Sequence, residues 1–88
     1  MQRMNEPEMM RQGKYADIVS RGEAIYQQHK DELESSYRGQ YVAINILDGK
    51  YAIAATGLEA IDKVRKICGD PFVGYLRGVG FVDYFGNV

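Results

Sequence analysis

Histidine, the commonest general acid or base, and cysteine, the usual thiol nucleophile, each occur once in this sequence. The chain has one histidine, His29, and one cysteine, Cys68. General-base or nucleophilic catalysis needs a second group beside the reactive one, and no catalytic motif accompanies either residue. One cysteine cannot form an internal disulfide, and one Cys with one His is too few for a zinc site. We therefore predict no enzyme activity, no metal site, and packing roles for both side chains.

The run RGVGFVDY, residues 77–84, carries the most specific chemical pattern. It resembles the signature of the RNA-recognition motif, in which alternate aromatic residues on an exposed strand stack on bases. The resemblance implies single-stranded RNA binding through Arg77, Phe81 and Tyr84. Val79 replaces the first aromatic residue, however, and that family has another helix and strand after the signature, whereas four residues follow Tyr84 here. RNA binding is therefore the alternative function. The two glycines of this run are too few for a dinucleotide cofactor motif.

Aromatic residues are frequent, with seven tyrosines, three phenylalanines and no tryptophan. Tyrosine joins a large apolar ring to a polar hydroxyl, a combination favoured where a surface is buried by another protein. A core this small cannot enclose all seven, so we expect some to line a contact with another chain; the alternative is that they lie singly on the surface. The candidate contact residues are Tyr41, Tyr51, Tyr75, Phe81 and Tyr84, although Tyr51 is also a candidate for the core.

Composition limits the remaining functions. A chain of 88 residues fits one small domain, whose stability margin is thin enough for a partner chain to contribute. Eleven basic and twelve acidic residues leave a net charge of −1, which gives no general attraction to nucleic acid or anionic membrane. Apolar runs are shorter than the roughly 20 residues that cross a bilayer, and no signal-peptide pattern is visible. We predict a cytoplasmic protein with no cofactor and no membrane association.

A long amphipathic helix is predicted for residues 14–34, because apolar residues recur there at helical spacing. Residues 1–13 are predicted to form a flexible N-terminal tail, and residues 14–88 a single domain. Gly22 lies within the apolar stripe, where it costs about 1 kcal/mol in helix propensity, so we expect another backbone to approach it closely. In the alternative interpretation, a capping box at residues 20–23 restarts the helix at Ser20.

Residues 40–55 predict a β-hairpin, since two alternating β-prone runs flank Asp48 and Gly49. A two-residue turn at this dipeptide places the aliphatic residues on one face of the hairpin. The expected opposed pairs are Ile46 with Tyr51, Ile44 with Ile53, and Val42 with Ala55.

The pattern then predicts a short helix and a broken strand. A capping box begins at Thr56, and Gly69 and Pro71 end a helix over residues 57–68. Its packing stripe is Ala60, Ile61, Val64, Ile67 and Cys68. Residues 72–77 and 81–85 predict strands separated by a bend at residues 78–80. The fold class is α+β, in the order α-β-β-α-β-β: a small antiparallel sheet built on the hairpin, with the long and short helices on one face.

From residue 18 to residue 86 the chain resembles a group of short, uncharacterised bacterial proteins. The likeness lies in RGEAIY on the helix, GQYVAI and DGKY in the hairpin, and YLRGVGF near the end. Members usually carry several acids after the hairpin, where this chain has AATG, so no role of those acids carries over. The resemblance implies an accessory or antitoxin-like protein without an assigned activity. With the aromatic residues, it favours a non-catalytic interaction module that binds itself as a homodimer or binds another protein.

Overall fold

The computed structural model describes the backbone of residues 6–69, 71–81 and 84–87, and the side chains of residues 16–69 and 71–81. Its elements, in chain order, are α1 (Glu6–Tyr37), β1 (Tyr41–Asn45), β2 (Tyr51–Ala54), α2 (Gly57–Cys68), β3 (Gly74–Gly78) and β4 (Tyr84–Asn87). The strands form one antiparallel sheet in the order β2-β1-β3-β4, so β1 and β3 are central. The predicted α+β class and order of elements are confirmed.

The two helices lie on opposite faces of the sheet, and the prediction that they share a face is wrong. Side chains of alternate residues in β1 and β3 point to opposite faces of the sheet, where they pack into two separate cores. The core on the α1 side contains Tyr26, Leu33, Val42, Ile44, Tyr75 and Val79. The core on the α2 side contains Ala43, Ala54, Ala60, Val64 and Leu76. Residues 42–44 of β1 are apolar at successive positions, so apolar side chains point to both faces of the strand. Burying both sets requires a helix on each face of the sheet.

The hairpin exists as predicted, but its register differs by two residues. Val42 lies opposite Ile53 and Ile44 lies opposite Tyr51, which leaves a four-residue loop at residues 46–49. A shift of two residues keeps each side chain on its predicted face, because side chains alternate with a period of two.

The buried Asn45 side chain accounts for the longer loop. Its Oδ1 accepts hydrogen bonds from the backbone N–H groups of Leu47, at 3.4 Å, and Val73, at 3.0 Å. Its Nδ2 donates to the Pro71 carbonyl at 3.4 Å. These bonds fix the loop against the segment that precedes β3, and they satisfy a side chain that is 1% exposed.

Helix α1 begins at Glu6, eight residues before the predicted start at residue 14, and continues through Ser20 without a break. The alternative in which the helix restarts at Ser20 is therefore wrong. Residues 6–13 of the expected tail are helical, and residues 1–5 lie outside the described part of the chain. The flexibility of the tail stays a prediction.

The boundaries of α2 follow from its caps, as predicted. Thr56 Oγ1 accepts a hydrogen bond from the Glu59 N–H at 3.2 Å, and Gly69 ends the helix with a positive φ of 67°. The packing stripe is narrower than predicted, however. Ala60 and Val64 are buried, whereas Ile67, in the last turn of the helix, is 54% exposed.

Candidate interaction surface

An apolar groove lies beside α2 on the face of the sheet opposite α1. We call it the α2-side groove, and its volume is about 380 Å³. Its lining residues come from β1, β3, the start of α2 and the loop before it. They are Tyr41, Ala55, Thr56, Gly57, Leu58, Ile61 and Leu76. The groove is close-packed at its base, where a Cβ on Gly57 would lie 2.8 Å from the Leu76 side chain.

Leu58 forms one wall of this groove and is the most exposed large apolar side chain in the described part of the chain, at 79%. Sequence reasoning missed it. A signal was present, because Leu58 is a large aliphatic residue that falls outside the packing stripe of its helix. Leu58 and the groove form one contiguous apolar surface, and contiguous apolar surface marks interaction sites on soluble proteins, whereas a single exposed leucine does not.

Two of the predicted contact residues, Tyr41 and Phe81, meet on the same face of the sheet as the groove. Their rings pack edge to face, with centroids 5.5 Å apart and an interplanar angle of 86°. Gly78 makes room for this pair, since a Cβ there would collide with the Phe81 ring. Both aromatic side chains are half-buried, so each still presents part of its surface next to the groove.

Tyr75 is placed differently, and the prediction that it lines a contact surface is wrong. Its side chain is fully buried on the α1 side, against Gly22. Its hydroxyl donates a hydrogen bond to Glu23 Oε2. The close approach expected at Gly22 is thus made by an aromatic ring and not by another backbone. The α1 face takes this ring because β3 directs odd-numbered side chains toward α1.

Arg77 is also buried, which removes it from the predicted nucleic-acid site. Its Nη1 donates to both carboxylate oxygens of Glu23, at 3.0 and 2.8 Å. Its Nε donates to the Gly78 carbonyl at 2.8 Å, and its guanidinium lies 3.7 Å from the centroid of the Tyr26 ring. The side chain is 7% exposed, so this cation joins α1 to β3 and is not presented to a nucleic-acid phosphate.

A second set of polar contacts joins α1 to the bend after β3. Tyr26 donates its hydroxyl proton to Glu34 Oε2 at 2.7 Å and accepts the Gly80 N–H at 3.1 Å. The bond from Tyr26 lowers the pKa of the Glu34 carboxyl below its ordinary value. Burial, together with the bond to Glu34, raises the pKa of the Tyr26 hydroxyl. Both shifts favour the ionised carboxylate and the neutral phenol that form this hydrogen bond.

Tyr51 packs on the α1 side, beside the core. Its ring centroid lies 4.9 Å from that of His29, and both side chains are half-buried. Burial raises the pKa of the Tyr51 hydroxyl. Tyr51 therefore lies on the opposite face of the sheet from Tyr41 and Phe81, two of the other predicted contact residues. Tyr84 begins β4, and its side chain lies outside the described part of the structure.

No protein-family model, curated protein or solved structure matches this chain. The resemblance to a group of short bacterial proteins thus stays a prediction. Within the described residues, no group of three or more His, Cys, Asp or Glu side chains is arranged to hold a metal ion. The described helices include none that is both long enough and apolar enough to cross a membrane.

Proposed function

We propose that this protein is a non-catalytic protein–protein interaction module, and that its α2-side groove receives an apolar side chain of a partner protein. The observation that carries the proposal is the exposure of Leu58, at 79%, on the wall of that groove. Complete burial of a leucine side chain contributes about 1.5–3 kcal/mol. A partner that covers Leu58 would gain much of this free energy.

The chemistry of the lining favours an apolar side chain over a polar metabolite. Among the described residues that line the groove, only Tyr41 and Thr56 carry polar side-chain groups. The Thr56 hydroxyl oxygen already accepts a hydrogen bond as the cap of α2. Sites for polar small molecules place several hydrogen-bonding groups around the ligand. This groove instead offers alkyl and aromatic surface, with the Tyr41 and Phe81 rings at one end.

RNA binding has no comparable support. A base-stacking strand needs exposed aromatic rings together with a cation for the phosphates. Arg77 is 7% exposed and bonded to Glu23, and Phe81 packs over Gly78. The accessory or antitoxin-like role and the cytoplasmic location stay predictions, and both are compatible with a module that acts by binding another protein.

A pair of leucine variants tests the proposal. Leu58→Asp places a charge on the groove wall, whereas Leu47→Asp places the same charge at a leucine that is 49% exposed in the hairpin loop. Leu58 is the second residue of α2, and an acidic residue in the first turn stabilises a helix by about 0.3–1 kcal/mol. Leu58→Asp should therefore fold normally, which circular dichroism and thermal unfolding will verify.

The readout is co-purification of a partner protein from cells of the source organism. We expect a discrete partner to be retained by the wild-type protein and by Leu47→Asp, and to be reduced at least about ten-fold by Leu58→Asp. Equal retention by the two variants would remove the groove from the interaction. Absence of any partner that depends on Leu58 would contradict the proposed function.

A further inference from the structure

We propose that Tyr26, on the α1 face of the sheet, is a positioning residue for the α2-side groove on the opposite face, because it fixes the bend that holds Phe81 against Tyr41. This inference rests on the proposed function, in which a partner protein occupies that groove. It follows from the path of residues 79–81, which pass around the end of the sheet from the α1 face to the α2 face.

Val79 is the fixed point from which this bend starts. Its side chain is fully buried in the core on the α1 side. Its N–H donates to the Gln40 carbonyl at 2.8 Å, and its carbonyl accepts from the Gly39 N–H at 2.9 Å. Both backbone groups of Val79 are thus bonded to the segment between α1 and β1. The direction that the chain takes beyond this point depends on Gly80.

Gly80 has no side chain that could pack, and its φ of 82° lies in the left-handed region that glycine adopts readily. Side chains from the end of α1 hold it instead. Its N–H donates to the Tyr26 hydroxyl at 3.1 Å, and its carbonyl accepts from Arg38 Nη1 at 3.3 Å. Tyr26 is 1% exposed, whereas the Arg38 side chain is 63% exposed. Tyr26 therefore gives the stronger restraint, since a hydrogen bond shielded from water is the stronger one.

Phe81 carries the effect of this bend to the other face. Its carbonyl accepts from Arg77 Nη2 at 3.3 Å, and its ring lies over Gly78 with its centroid 5.5 Å from that of Tyr41. Tyr41 in turn lines the groove. A displacement of Gly80 would move the Phe81 ring and remove one restraint on the Tyr41 side chain. Binding to an ordered wall costs less conformational entropy than binding to a mobile one, so the restraint favours the partner.

A double-mutant cycle on partner retention tests the proposal, with Tyr26→Phe made in the wild type and in Phe81→Ala. Tyr26→Phe keeps the ring against the Arg77 guanidinium and removes the hydroxyl that accepts the Gly80 N–H. In the wild type, we expect it to lower retention of the partner that depends on Leu58 at least about five-fold. In Phe81→Ala it should change retention by less than about two-fold, since the transmitting contact is already absent. Equal losses in both backgrounds, or no loss in the wild type, would overturn the proposal.

Ile18→Val is the control for a loss of stability alone. Ile18 is a buried residue of the same core and lies on the same helix as Tyr26. At a temperature well below the unfolding midpoint of every variant, Ile18→Val should retain the partner as the wild type does. A loss equal to that of Tyr26→Phe would reduce the effect of Tyr26 to stability and would also contradict the proposal.

Nuclear Overhauser contacts between the rings of Tyr41 and Phe81 give a second measurement, which needs no partner. They should be present in the wild type and weaken at least about two-fold in Tyr26→Phe, because the bend opens locally. Unchanged contacts would overturn the inference. Failure of the proposed function is a separate result, since it means that no partner depends on Leu58. A partner that is lost in Leu58→Asp but fully retained by Tyr26→Phe would overturn this inference alone.

Discussion

At the scale of the residue, the lesson of this protein is how Arg77 is used. From the sequence, a basic residue followed by glycines and aromatics in alternation is a reasonable nucleic-acid signature. In the structure, Glu23 is 54 positions away in the chain and neutralises the guanidinium at 2.8 Å. No local pattern predicts that contact, because it depends on the way α1 packs on β3. The role of His29, in contrast, could be predicted from the sequence. Its place on the apolar stripe of the helix predicts a half-buried packing residue.

The bond between Tyr26 and Glu34 predicts a pH dependence of stability. The folded state lowers the pKa of Glu34 from an ordinary value of 4.5. Ionised Glu34 therefore stabilises the fold above that value, and the contribution is lost as the pH falls through the lower pKa of the folded state. We expect the melting temperature of wild type to exceed that of Glu34→Gln at pH 7. The difference should shrink steadily below about pH 4.5.

Thermal unfolding of the two proteins between pH 3 and pH 7 provides the measurement. Glu32→Gln serves as the matched control, since Glu32 is an exposed carboxylate on the same helix. The melting temperature of Glu32→Gln should stay closer to that of wild type at pH 7. A Glu34→Gln difference that is constant across the range would show that the Tyr26 bond does not perturb the carboxyl.

At the scale of the element, periodicity and capping identified most of the secondary structure. The predicted hairpin, the two caps of α2 and the bend before β4 all follow from local signals, so the sequence alone predicted them. The length of the hairpin turn did not follow from local signals, because the buried Asn45 amide binds residues 71 and 73 from a distant segment. The side of the sheet taken by α2 depends on Ala43, Ala54 and Ala60, whose small side chains do not by themselves indicate a buried face.

The packing of α1 on β3 predicts that a single methyl group at position 22 is harmful. In an ordinary helix, Gly→Ala gains about 1 kcal/mol of stability. Here the added Cβ would collide with the buried Tyr75 ring. We expect Gly22→Ala to destabilise the protein by about 1–3 kcal/mol, because overpacking in a rigid core outweighs the helix propensity.

Urea unfolding monitored by circular dichroism measures this effect. Ser20→Ala is the matched control, because Ser20 is exposed on the same helix and gains propensity without a collision. The control should be unchanged or slightly stabilised. If Gly22→Ala also proved neutral or stabilising, Tyr75 would not pack against Gly22 as described.

At the scale of the whole molecule, the separation of the two helices organises the protein. The α1 face contains the ion pair of buried Arg77 with half-buried Glu23 and the hydrogen bonds of Tyr26, and these contacts join α1 to the sheet. The α2 face contains the groove, with Leu58 exposed and the Tyr41–Phe81 pair beside it. The sequence indicated an interaction module with aromatic contact residues, but not which of them share a face. The structure shows which residues share a face, because α1 and α2 cover opposite faces of the sheet.

The central claim is that the α2-side groove is the contact surface, and site-specific photocrosslinking tests it most directly. The photoreactive residue p-benzoylphenylalanine is introduced in place of Leu58 or, as the control, in place of Leu47, and the cells are irradiated. We predict a discrete adduct heavier than the 10.0 kDa chain from position 58 and none of comparable yield from position 47. Equal adducts from both positions, or none from position 58, would contradict the account.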